Sequence, residues 1–192
     1  MLNFCRLILV TTLMAPVSAS LANSAGLILN SDSVEVYYND AASDKVLKNT
    51  RKQYTFMYSQ ESAPRNLMLS VDAELLKYSK PLKKSYLWGP KVGMYLADFN
   101  DNNLLALAGG VYLRRPASAA QKYDFLTEIL YAPQLTSFIK ADYLWSIKFQ
   151  WNYPLPDEAE LNVGFRTIQI KMDQQQRDSF DTGLYLGLSK RF

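Results

Sequence analysis

Apolar and polar side chains alternate along residues 142–153, with Leu144 as the exception. Alternation with a period of two predicts a β-strand whose two faces meet different surroundings. Roughly ten steps of about 3.3 Å, at a tilt of about 40°, rise about 25 Å, which is the height of the apolar band on a transmembrane barrel. The apolar face carries aromatic residues with polar tips at both ends, like an aromatic girdle, and purely apolar residues between them: Tyr143 and Trp145, then Ile147 and Phe149, then Trp151 and Tyr153. This pattern predicts a strand that faces lipid on one side.

The same alternation recurs in further segments at the spacing of a β-meander. They cover residues 34–38, 54–58, 67–75, 86–96, 123–131, 161–167 and 184–192. Residues 104–113 are apolar on both faces, but small residues on one face suit a crowded interior, so this segment is also predicted as a strand. Bacterial membrane barrels of a single chain have an even number of strands. The sequence therefore predicts an all-β fold, an antiparallel up-and-down transmembrane β-barrel of about ten strands, with eight as the alternative.

Three segments depart from regular alternation. Pro90 lies inside 86–96 and predicts a bulge or a break, because proline cannot donate a hydrogen bond to a ladder. Residues 171–182 (KMDQQQRDSFDT) are polar and predict a long loop on the outer side. Residues 40–52 are basic and fit either a loop or a poor strand.

The N-terminus has the layout of a signal peptide. Arg6 gives a positive start and residues 7–15 are apolar. Cleavage fits after Ala19 (VSA) or after Ala22 (SLA), because both sites have small residues where the signal peptidase needs them. An uncleaved anchor helix is the alternative, but an apolar core of about nine residues is too short to span a bilayer. The predicted organisation is a signal peptide over residues 1–22 and a barrel over residues 23–192 in the bacterial outer membrane.

Composition narrows the classes of function. The chain has no histidine, and its single cysteine, Cys5, lies in the predicted signal peptide. Outer-membrane hydrolases and acyltransferases generally need a histidine base, so we predict no enzyme, and no metal or cofactor site follows from the spacing of the residues. The chain has 21 Lys+Arg and 18 Asp+Glu, and loss of Arg6 leaves 21 − 1 = 20 basic residues. This near balance of charge does not indicate a nucleic-acid-binding protein.

The polar faces of the predicted strands supply candidate lumen-lining residues. Which face of the 142–153 strand points inward is strongly specified. A shift of the pattern by one residue would turn Lys148 toward lipid, at a cost of about 2–4 kcal/mol. Glu128 and Arg166 are expected to pair, since an isolated charge inside a narrow barrel is costly. Two interpretations stay open: a satisfied plug that closes the barrel, or a narrow path for small solutes. The lumen candidates are Glu128, Arg166, Lys148, Asp142 and Asp124.

The end of the chain has the pattern of a terminal barrel strand. A stripe of leucines at alternate positions leads to Phe192, the predicted C-terminal barrel signature. Lys190 interrupts this stripe, but a lysine near a strand end can snorkel into the membrane interface. Two other interpretations remain: a soluble periplasmic β-barrel that binds an apolar ligand, and a surface barrel whose polar loops act in adhesion or recognition.

Four short motifs occur along the second half of the chain: LLALAGGVYL at 104–113, EILYAP at 128–133, LNVGFR at 161–166 and GLYLGLSKRF at 183–192. Together they resemble the YfaZ family of bacterial outer-membrane proteins over residues 86–192, whereas the N-terminal third matches poorly. The resemblance implies a small barrel, sometimes described as porin-like, and no chemistry. This chain departs from the family in its fewer glycines and in Pro90. The expected partners are outer-membrane lipids, the barrel-assembly machinery and periplasmic chaperones, and a monomer is the expected state.

Overall fold

The alternating segments form strands in the computed structural model of the chain, which describes nine stretches of residues. These are 22–41, 50–60, 66–75, 80–82, 86–99, 102–115, 122–138, 141–172 and 177–192. The predicted signal peptide lies outside the described residues, apart from Ala22, at which the first strand begins.

Twelve antiparallel strands account for most of the described residues. They are β1 (Ala22–Asn30), β2 (Ser33–Ala41), β3 (Thr50–Ser59), β4 (Asn66–Leu75), β5 (Lys80–Leu82), β6 (Tyr86–Phe99), β7 (Asn102–Arg115), β8 (Asp124–Ala132), β9 (Ser137–Phe138), β10 (Ala141–Pro154), β11 (Ala159–Met172) and β12 (Arg177–Arg191). A turn of 3-10 helix, Gln134–Thr136, precedes β9. In these stretches no helix is long and apolar enough to cross a membrane.

Ten of the strands close into a barrel, which confirms the predicted all-β antiparallel barrel and its strand number. Their order around the wall is the order along the chain, with β5 and β9 left out. β12 then pairs with β1, from Ser24 opposite Arg191 to Asn30 opposite Tyr185, and this pairing closes the ring. The short strands β5 and β9 pair with β6 and β7 respectively. Closure matters because each wall strand can then satisfy its backbone groups on both sides.

The two ends of the barrel differ in what they carry. β1 begins and β12 ends at the same end, which we call the terminal end. The connections from β2 to β3, β4 to β6, β7 to β8 and β10 to β11 also lie there, because each strand is antiparallel to its neighbours. The other connections lie at the opposite end.

β1 was not predicted from the sequence. It begins at Ala22, the last residue of the predicted signal peptide, and residues 26–29 (GLIL) do not alternate between apolar and polar. In the barrel, Ile28 faces inward and is fully buried, while Leu29 is half exposed on the outer surface. An inward face that is itself apolar removed the alternation on which the prediction depended.

The break predicted at Pro90 is present on one side of β6 only, and the prediction of a loop over residues 171–182 was wrong for the described residues. β6 runs through Pro90 with no shift of register toward β7, where Pro90 lies opposite Val111. On its other side the pairing with β4 stops at Lys91 and that with β5 starts at Trp88, so no hydrogen bond is required of Pro90. The expected loop is mostly strand, because β11 continues to Met172 and β12 begins at Arg177.

The two faces of β10 have the predicted phase. Phe149, Trp151 and Tyr153 are exposed on the outside of the barrel, whereas Lys148 and Gln150 are buried inside it. Leu144, the exception in the sequence pattern, also points inward and is fully buried. It belongs to an apolar cluster at the opposite end of the barrel, whereas the inward face of β10 is polar further toward the terminal end.

Candidate functional site

The interior of the barrel holds several buried charged side chains. Lys91 on β6 and Glu128 on β8 form an ion pair with 2.8 Å between Nζ and Oε1, and their side chains are 3% and 8% exposed. β7 lies between these two strands, and Gly110 of β7 is opposite Lys91. Because glycine has no side chain, Lys91 can reach across β7 to Glu128.

Arg166 on β11 is held by two carboxylates. Its Nε donates a hydrogen bond to Asp181 Oδ2 at 2.6 Å, and its Nη1 is paired with Glu35 of β2. The expected pairing of Glu128 with Arg166 is therefore wrong: the structure gives each of them its own partners. Neither Glu35 nor Asp181 was predicted as a site residue, although the inward phase of Glu35 follows from the alternation at 34–38.

Lys148 on β10 lies between these two groups. Its neighbours across the sheet are Glu128 on β8 and Arg166 on β11. Its ammonium lies 6.0 Å from the ring centroid of Tyr37 and 5.9 Å from that of Tyr185, within the range of a cation–π interaction. Lys148 therefore lies between the Lys91–Glu128 ion pair and the group formed by Arg166, Glu35 and Asp181. It contacts the rings of two inward tyrosines there.

Two glycines make room for these tyrosines. A Cβ built on Gly26 would come within 2.5 Å of the Tyr37 ring, and one built on Gly164 would come equally close to that of Tyr185. The hydroxyl of Tyr37 accepts a hydrogen bond of 2.9 Å from Asn162 Nδ2. Each tyrosine thus lies flat across the inner surface of a neighbouring strand and fills the lumen.

A second acidic group lies nearer the terminal end, on β4. Asp72 accepts a hydrogen bond of 2.7 Å from the hydroxyl of Tyr95, and Glu74 lies 3.6 Å from Arg51 Nη1. Asp72, Glu74 and Arg51 border a cavity of about 10 Å³, together with Lys91 and Gln53. A cavity of that size holds about one water molecule.

The other two lumen candidates lie apart from this interior network. Asp142 is at a bulge near the opposite end and pairs with Lys171 at 2.9 Å. Asp124 begins β8 at the terminal end and pairs with Arg114 at 3.0 Å. Of the five candidates, the structure thus brings Glu128, Lys148 and Arg166 close together, while Asp142 and Asp124 lie in ion pairs near the two ends.

The lumen is filled by apolar side chains toward the opposite end. The rings of Phe99 and Phe180 lie 5.7 Å apart between centroids, and both side chains are fully buried. The cluster around them consists of Met57, Met68, Tyr95, Ala97, Leu104, Ala106, Ala108, Leu130, Ala132, Leu144, Ile168, Ile170 and Met172. These side chains are buried from solvent, and buried apolar clusters in proteins are close-packed.

The outer surface of the barrel is apolar between aromatic rims. Tyr38 and Tyr54 are in ring contact at the terminal end, as are Phe125 and Trp151, with 6.2 Å and 5.2 Å between centroids. Tyr131 and Tyr143 form the corresponding contact at the opposite end, at 6.4 Å. Between these rims the exposed side chains include Phe56, Leu69, Val71, Val92, Met94, Leu107, Val111, Ile129, Phe149, Val163, Leu186 and Leu188.

The predicted girdle and C-terminal residues lie on this outer surface. Trp151 and Tyr153 are exposed toward the terminal end, and Tyr143 and Trp145 are partly exposed toward the opposite end. Phe192 follows β12 and is 60% exposed at the terminal end. The described residues contain no group of three or more His, Cys, Asp or Glu placed to hold a metal ion.

Comparison with known proteins adds little. No protein-family model and no curated protein matches the chain, so the resemblance to the YfaZ family stays a prediction. A solved structure from work described as "Unveiling the Mechanism Behind the in-meso Crystallization of Membrane Proteins" is 10% identical over 89% of this chain and 83% of that chain, with a TM-score of 0.37. Similarity at that level carries no argument about this chain.

Proposed function

We propose that the protein is a small integral β-barrel of the bacterial outer membrane, of the YfaZ type, whose lumen is closed by its own side chains. In this role it is a structural membrane barrel, and it is not an open diffusion pore. One observation carries the proposal. Apolar side chains cover the outside of the barrel and paired charges lie inside it, which is the reverse of the arrangement in a soluble protein.

The outer surface supports the membrane part of the proposal. Soluble monomers rarely expose a contiguous apolar patch larger than a few hundred Å², whereas here every wall strand contributes apolar outward residues. The aromatic contacts at both ends of this surface match the girdles of membrane barrels. An apolar band bordered by aromatic rims is what a bilayer requires and what water disfavours.

The interior supports the closed state. An ion crossing the lumen would have to displace both the paired charges and the apolar cluster around Phe99 and Phe180. Hydrophobic constrictions block ions by excluding water, so the apolar cluster is the stronger barrier of the two. The same packing opposes the soluble interpretation, because the cluster fills the space that an apolar ligand would need.

Planar-bilayer recording tests this proposal. We expect no conductance from the purified wild-type barrel, and discrete conductance from the double variant Phe99→Ser with Phe180→Ser, because hydroxyls admit water to the constriction. Phe149→Ser is the matched control, since Phe149 faces outward, and it should stay silent. Steady channels from the wild type would contradict the closed lumen, and a silent double variant would contradict the position of the barrier.

A further inference from the structure

The outward stripes of three strands end in a basic residue at the terminal end of the barrel. On β3 the stripe of Tyr58, Phe56 and Tyr54 leads to Lys52. On β7 the stripe from Leu107 leads to Arg115. On β12 the stripe of Leu184, Leu186 and Leu188 leads to Lys190. Basic side chains thus recur at the border of the apolar band, at separate places around the wall.

None of these three side chains is held in a salt bridge of the described structure. The guanidinium of Arg115 lies 5.4 Å from the ring centroid of Tyr86, which is an outward aromatic contact. Lys190 is exposed, and Lys52 has Asp40 as its neighbour across the sheet. The acidic residues Asp157 and Glu158 lie beyond the wall, in the turn between β10 and β11. The three cations therefore face the level at which a bilayer changes from acyl chains to headgroups.

The opposite end differs in the charge of its outer border. The outward lysine described there, Lys171, is already paired with Asp142 at 2.9 Å. Asp98, near the end of β6, is exposed. The apolar band therefore has a basic border at the terminal end. At the opposite end, the described residues show no corresponding excess of unpaired cations.

We propose that Lys52, Arg115 and Lys190 bind the phosphate groups of anionic glycerophospholipids at the terminal end of the barrel. Each long side chain can keep its stem along the apolar band and extend its charge to the headgroups, and basic residues at an anionic lipid surface are attracted to it. This inference rests on the proposed function, since it requires the barrel to span a bilayer. It also gives the barrel an orientation, with the terminal end in the leaflet that supplies these lipids.

Electron paramagnetic resonance with spin-labelled lipids tests the inference. The purified protein is first refolded into phosphatidylcholine vesicles, and insertion is checked by the gel mobility of unheated against boiled samples. Spin-labelled phosphatidylglycerol is then compared with spin-labelled phosphatidylcholine. We expect about a fivefold preference for phosphatidylglycerol, the size that one basic residue gives at a lipid surface, and a smaller preference at high salt.

Matched variants identify the residues responsible. The triple variant Lys52→Gln, Arg115→Gln and Lys190→Gln should lose the preference, whereas Lys171→Gln at the opposite end should keep it. A wild type without preference, or a Lys171→Gln variant that loses as much as the triple variant, overturns this inference and leaves the membrane barrel intact. Failure of the wild type to insert at all overturns the proposed function, and the inference with it.

Discussion

The Nζ atom of Lys91 lies 2.8 Å from Oε1 of Glu128, and this ion pair joins β6 to β8 across the inner surface of β7. Both side chains are buried, so neither charge can recover its hydration if the other is removed. Loss of one partner from a buried pair is strongly destabilising, whereas replacement of both by apolar groups is often close to neutral. Because of this asymmetry, single and double substitutions of the pair test whether the two charges are buried together inside the barrel.

Substitution of Lys91 alone should therefore be costly. Lys91→Met should lower the free energy of unfolding by about 3–5 kcal/mol, because Glu128 then stays buried without its partner. Urea unfolding of the refolded barrel in vesicles, followed by tryptophan fluorescence, measures this change. The double variant Lys91→Met with Glu128→Leu should recover most of the loss. Equal losses in the single and double variants would contradict a buried pair.

Substitution of Arg166 should destabilise the barrel more than substitution of a cation at the rim. Arg166→Met leaves Glu35 and Asp181 without their shared partner, and we expect a loss of about 3–5 kcal/mol. Lys171→Met is the control, because its pairing with Asp142 is 39% exposed on the lysine side and exposed pairs contribute about 0–1 kcal/mol. The same urea titration compares the two variants. Similar midpoints for both would show that Arg166 is not in the buried network.

Two glycines of the wall should respond in opposite ways to alanine. A Cβ on Gly164 would lie 2.2 Å from the carbonyl oxygen of Phe149, whereas one on Gly109 would meet nothing within 4 Å. We expect Gly164→Ala to destabilise the barrel by about 1–3 kcal/mol through overpacking. Gly109→Ala should be neutral or stabilising by about 0.4–1 kcal/mol, because it restricts the unfolded chain. Thermal unfolding of the two variants under identical conditions checks the difference in sign.

A lysine on the outer surface should have a cost that depends on its depth. Ile129 lies in the middle of β8, opposite Ile147 of β10, and Ile129→Lys should cost about 2–4 kcal/mol in a bilayer. Tyr153→Lys, near the terminal rim, should cost about 0–1 kcal/mol. Unfolding in vesicles measures both. If both variants lie within about 0.5 kcal/mol of wild type, as is usual for a surface in water, the outer surface does not face lipid.

The orientation of side chains on each strand could be predicted from the sequence, because alternation is a local property. Lys148 and Phe149 point as the period of two requires. The partner of Arg166 could not be predicted, since Glu35 lies 131 residues away along the chain. Alternation determines which face a residue occupies, but it gives neither the stagger between strands nor the height of a side chain inside the barrel.

The errors in strand bounds have the same origin. β1 was missed because its inward face is apolar at Ile28, so that polar residues do not mark the lumen side. Residues 171–182 were predicted as a loop because most of them are polar, yet Asp181 is inward and binds Arg166 at 2.6 Å. Near the start of β12 the register toward β11 shifts, and the consecutive residues Phe180 and Asp181 are both buried. The stretch therefore does not alternate, and its sequence resembles that of a loop.

Fractionation of expressing bacteria, combined with a gel of unheated and boiled samples, tests the central claim most directly. A closed barrel in the outer membrane should appear in the outer-membrane fraction and migrate faster unheated than boiled, because the folded wall resists the detergent. Recovery of the protein in the soluble periplasmic fraction, with the same mobility before and after boiling, would contradict the membrane barrel.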